Sequence, residues 1–68
     1  MQVTAILNHA EEGGFVALNP ETGCVTQGET IDEALANLRE AVELYLEDFP
    51  LKTTGAPFVT TFDVADHA

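Results

Sequence analysis

Hydrophobic and polar residues change their rhythm several times along this chain. Residues 2–8 alternate, with Val3, Ala5 and Leu7 set against Thr4, Ile6 and Asn8, and a period of two marks a strand. Residues 10–14, Ala-Glu-Glu-Gly-Gly, are polar and end in two glycines, a hairpin signal that gives Gly14 a structural role. Phe15 to Leu18 is a short apolar run and reads as a buried second strand. Asn19-Pro20-Glu21-Thr22-Gly23 follows; Pro20 supplies a fixed φ and Gly23 a permissive one, so this is a turn. A third strand over residues 24–27 completes an antiparallel meander.

The rhythm then lengthens. Ile31, Ala34, Leu35, Leu38, Val42, Tyr45, Leu46 and Phe49 recur at spacings of three and four, the stripe of an amphipathic helix over residues 31–48. Gly28 is expected to let the chain turn sharply ahead of it. Thr30 occupies the N-cap position with Glu33 three residues on, which predicts a capping box in which Glu33 reaches back to the Thr30 N–H. Pro50 lies just beyond the stripe and ends the helix. Leu44 falls off the stripe, among Asn37, Glu40 and Glu47, a candidate apolar contact on the solvent face. After a loop over residues 52–57, Phe58, Thr60, Phe62 and Val64 alternate with Val59, Thr61 and Asp63, which predicts a fourth strand. The expected class is α+β with the order βββαβ, the helix returning the chain through a right-handed crossover. One helix covers one face of a sheet, so self-association as a dimer or tetramer is expected, with Phe58, Val59 and Phe62 as contacts.

Composition narrows the function. A chain of 68 residues is at most one domain, here taken as 1–68, and buries only about 60% of its unfolded surface. Twelve acidic residues face two basic ones, Arg39 and Lys52, for a formal charge of −10. Such a field repels phosphates and argues against direct nucleic-acid binding, while it speeds encounter with a basic partner. Glu11 and Glu12 in the hairpin, with Glu40, Glu43 and Glu47 on the outer helix face, are the candidate partner-binding carboxylates. Cys24 is the single cysteine, so no internal disulfide forms and a cytoplasmic setting is expected. No apolar run reaches the roughly 20 residues of a membrane span.

Catalytic chemistry finds little footing. His9 and His67 are isolated and Cys24 has no partner at zinc-ligand spacing, so no metal is expected. No glycine-rich phosphate loop is present, and no cofactor is expected. A nuclease using two metal ions needs carboxylates converging from several elements, and the first strand contains no Asp or Glu. A non-enzymatic interaction protein is expected, with a standalone oligomeric scaffold or regulatory module as the alternative and a degenerate nuclease far behind.

The ordered set Gly14-Phe15-Val16-Ala17, Pro20, Gly23-Cys24, Thr26-Gln27-Gly28, Thr30, Glu33-Ala34, Asn37 and Glu40-Ala41 resembles the HicB-like antitoxin family of bacterial and archaeal toxin–antitoxin systems. The likeness covers residues 1–49 well and the last strand loosely. It implies a partial ribonuclease-H-like fold in a short form. It also implies a partner: a small RNA-cleaving toxin with a double-stranded-RNA-binding-like fold and a catalytic histidine, whose active site the antitoxin masks. Family antitoxins usually continue into a DNA-binding segment. No such segment is recognised in residues 1–68, so operator binding is not part of the expectation.

Overall fold

The computed structural model describes residues 1–52 and 55–66. Three strands, β1 (Ile6–His9), β2 (Phe15–Asn19) and β3 (Cys24–Gly28), precede one helix, α1 (Ile31–Asp48). The strands form an antiparallel sheet in the order β1-β2-β3, and the fold is α+β, as the sequence leads one to expect. Ile6 lies opposite Leu18, which lies opposite Val25. Because side chains alternate across a strand, Leu7, Ala17 and Thr26 share the face that meets the helix, and Ile6, Leu18 and Val25 share the other.

The two turns are closed by short backbone bonds. Ala10 N–H donates to the Gly14 carbonyl at 3.0 Å, and Gly23 N–H to the Asn19 carbonyl at 2.8 Å. Gly14 has φ +77°, and a Cβ there would lie 2.6 Å from the Gly28 carbonyl oxygen. Conformation and space therefore both demand glycine. Gly28 differs from expectation. It is absent from the positive-φ residues, so its role is not an unusual backbone angle. A Cβ on Gly28 would lie 2.8 Å from Ala34 Cα; glycine lets the end of β3 pass against the first turn of α1.

The helix starts as a capped helix should. Thr30 Oγ1 accepts from Glu33 N–H at 3.1 Å, and Asp32 and Glu33 occupy the first turn, where the helix dipole favours negative charge. Glu33 reaches one residue further back than a standard box, its Oε1 accepting from Glu29 N–H at 3.4 Å. At the other end Phe49 N–H donates to the Tyr45 carbonyl, and Pro50 can continue no helix.

The core is small. Ala17, Ala34, Leu38 and Val42 are buried, with Leu7, Phe15, Cys24 and Leu46 packed around them. α1 lies chiefly on β3 and β2, and polar bonds fasten it there: Thr26 Oγ1 donates to the Ala34 carbonyl at 3.0 Å and Asn37 Nδ2 to the Gln27 carbonyl at 2.8 Å. The buried stripe is narrower than its sequence pattern. Ile31, Leu35 and Phe49 are exposed, because the sheet does not extend far enough beneath the helix to cover them.

Two further differences concern strands. The first begins at Ile6 rather than at residue 2. Continuing the register from Ile6 opposite Leu18 would set Thr4 opposite Pro20, which has no N–H to donate, so the ladder stops. The predicted fourth strand does not form within the chain. Residues 56–64 have no regular structure and are exposed throughout, since no strand edge of the same chain pairs with them. His67 and part of the predicted 52–57 loop fall outside the described residues.

Candidate functional site

The β2–β3 turn builds a polar corner around Asn19, whose side chain is completely buried. Its Nδ2 donates to the Thr4 carbonyl at 2.7 Å and to Glu21 Oε1 at 2.8 Å. Its Oδ1 accepts from Thr22 N–H at 2.9 Å and from Thr22 Oγ1 at 2.6 Å. Glu21 in turn accepts from Thr4, at 3.0 Å from its N–H and 2.7 Å from its hydroxyl. The Thr4 N–H and hydroxyl, with a smaller contribution from Asn19, hold the Glu21 carboxyl below the usual glutamate range, against a smaller opposing effect of desolvation. These bonds replace the ladder that Pro20 interrupts. They fix residues 1–5 as a wall beside the helix.

Between that wall and α1 lies an open groove of about 750 Å³. Leu35, Leu38, Val42 and Leu46 form its apolar helix side, and Val3 and Ala5 face them. Asp32, Arg39, Glu40 and Glu43 also line it. Arg39 Nε sits 3.7 Å from Glu43 Oε1 in an exposed pair, a contact worth a few tenths of a kcal/mol. The opposite face of the sheet carries the row Ile6, Leu18 and Val25, with Val25 58% exposed.

The structure divides the carboxylates that the sequence suggests as one docking face. Glu40 and Glu43 line the groove, whereas Leu44 and Glu47 do not. Leu44 is 59% exposed. Glu11 and Glu12 are exposed in the β1–β2 turn, which closes at the end of the sheet where Phe15 pairs with Gly28, just before α1 begins. An 18-residue helix is about 27 Å long, so Glu47 lies most of a helix length away from that end. Two acidic patches result, one at the hairpin and one along the helix. Phe58, Val59 and Phe62 are exposed and line no part of the groove.

Other candidate chemistry is placed plainly. His9 rests on Phe15, with ring centroids 4.8 Å apart. Cys24 is half-buried beside the core. Among the described residues, no three His, Cys, Asp or Glu side chains come together as a metal site, and no helix is long and apolar enough to cross a membrane. Sequence reasoning misses the Asn19 corner and the groove. The one signal for the corner is the Asn-Pro-Glu-Thr-Gly turn, in which an asparagine carbonyl can accept from backbone a few residues on.

Comparison with known proteins gives kinship without activity. The model of a family of unknown function, DUF7387, matches residues 3–58. A UPF0150 protein of Thermoplasma acidophilum is 35% identical over 69 residues, spanning 100% of both chains. One from Helicobacter pylori is 44% identical over 48 residues, covering 71% of this chain and 67% of that one. One from a Synechocystis species is 48% identical over 48 residues, covering 69% and 67%. No solved structure matches. With the match running from the first strand through the helix, and one relative aligned end to end, the chain belongs to the DUF7387 family and stands among the UPF0150 proteins.

Proposed function

We propose that this chain is an antitoxin-type protein that binds a small RNA-cleaving toxin directly and masks its active site. The observation that carries the reading is charge. Twelve carboxylates against two cations make the surface repel RNA, while a protein that cleaves RNA must present cations to phosphates. The acidic chain therefore complements the surface the toxin uses on its substrate. The resemblance in residues 14–41 supports the same reading. Glu11 and Glu12 at the hairpin, and Glu40, Glu43 and Glu47 on the helix, are the steering groups. Leu44 is the apolar contact.

Co-expression tests it. A small basic protein encoded beside this chain is the expected partner: it should co-purify with the chain, and its RNA cleavage should fall as the purified chain is added. Separate elution with undiminished cleavage overturns the reading. The exposed apolar segment at residues 58–64 favours a second reading, a standalone oligomeric module, which predicts self-association and no basic partner.

A further inference from the structure

We propose that residues 57–64 of one copy form the fourth strand of a second copy, laid along its open β1 edge and over the helix groove, and that the exchange is reciprocal. The segment is built for such a role. Phe58, Thr60, Phe62 and Val64 face one way in an extended chain, and Val59, Thr61 and Asp63 the other. In the single chain Phe58 is fully exposed and Phe62 is 84% exposed. The segment stands clear of the body: the Cα radius of gyration is 13.9 Å, against about 11 Å for a compact chain of this length.

The receiving surface is the flank that the helix leaves uncovered. α1 lies on β3 and β2, and Asn37 engages the Gln27 carbonyl on β3. β1 pairs only with β2, so its outer edge can accept a strand by β-addition. Beside it, Leu35 and Leu46 offer apolar surface to the phenylalanine face, and the buried Val42 also lines the groove.

Charge and area both name a second copy as the occupant. Residues 55–62 carry no charge and Asp63 lies on the other face of the segment from Phe58 and Phe62, so the phenylalanine face can approach a groove lined by Asp32, Glu40 and Glu43 with little repulsion. Each buried phenylalanine removes about 150–250 Å² from water. Two per segment in a reciprocal exchange remove about 600–1,000 Å², and the surface they cover brings the total into the range of a stable dimer, about 1,200–2,000 Å². A two-fold exchange is also closed, since each copy gives one segment and receives one. It would restore the order βββαβ with a strand from the partner.

The test uses the full chain alone, so its outcome is separate from that of the toxin reading. Isotope-labelled and unlabelled chains are mixed, equilibrated and read by isotope-filtered NMR. Ring protons of Phe58 and Phe62 in one copy should give NOEs to methyls of Leu35, Val42 and Leu46 in the other. Sedimentation at micromolar concentration should show a dimer, and the double variant F58S/F62S should weaken it about 10,000-fold, tenfold for each of the four anchors lost from the two copies. Contacts found only within one chain, a clean monomer, or a dimer whose phenylalanines touch neither helix nor β1 overturn the proposal. If the double variant fails to fold, the contacts in the parent still decide.

Discussion

The corner around Asn19 and the segment at residues 58–64 invert the usual placement of polar and apolar groups. Among the described residues the largest fully buried side chain is an amide, and the most exposed large hydrophobic one is a phenyl ring. The corner tolerates burial because every polar atom of Asn19 has partners within its own chain. The segment has no such closure: its large apolar side chains Phe58, Val59, Phe62 and Val64 are exposed. One region is complete in a single copy, and the other leaves its apolar side chains exposed in it. Burial alone does not distinguish structural from interactive residues here; completeness of partners does.

The sharpest way to break this contrast is Asn19→Leu. It leaves the Thr4 carbonyl and Thr22 N–H without the amide that satisfies them. A loss of about 3 kcal/mol is expected, since stranded polar groups cost about 1–3 kcal/mol each. Urea denaturation measures it, and an unchanged midpoint would show that water serves the corner equally well.

Phe62→Ser attacks the other region and should act on association instead. The dimer dissociation constant should rise about 100-fold, tenfold for the Phe62 of each copy, equivalent to about 2.8 kcal/mol. Sedimentation equilibrium across a dilution series reads it. An equal loss of stability in dilute, monomeric samples would mean that the segment packs on its own chain.

Acid sharpens the comparison on the side of the corner. The carboxyl of Glu21 is held below its ordinary range by Thr4. A folded value lower than the unfolded one gives stability that is fully present above the unfolded pKa. That stability is lost as pH falls toward and through the folded value. Melting temperature should therefore drop as pH descends below the ordinary glutamate range, and Glu21→Gln should flatten that slope. Parallel slopes for both proteins would exclude Glu21 as the acid-sensitive group.

The smallest effect is expected at Leu44, which belongs to neither region. Leu44→Ala should change stability by no more than about 0.5 kcal/mol while speeding dissociation of the toxin, if the helix face is the docking surface. Surface-immobilised binding kinetics beside a thermal melt separate the two. Unchanged kinetics would move the search to the row Ile6, Leu18 and Val25.

What could be read from residues alone follows the range of the interactions involved. The Thr30 cap, the Gly14 and Gly23 turns and the extent of α1 depend on neighbours within a few positions, and the residue types announce them. Asn19 finds Thr4 fifteen positions away, and nothing in a turn sequence points there. Alternation predicts a first strand from residue 2, whereas its length is set by Pro20, just past the end of β2. The groove was invisible for a related reason. Its walls are residues 1–5 and the flank of α1, which come together only once β1 has paired. Alternation at residues 58–64 says that a strand is wanted there; it does not say which edge, or whose, will receive it.

The bond from Asn37 to the Gln27 carbonyl bears on where a further strand can add to this sheet. A sheet with two available edges is a bifunctional building block, and such blocks join without limit, as in cross-β assemblies. Here one side chain, reaching down from the helix at 2.8 Å, occupies an acceptor on β3, and the helix overlies that strand. A strand that used the same acceptor would first have to displace this bond. Pairing at β3 is thereby disfavoured relative to the same edge without Asn37, which biases the sheet against growth at both ends.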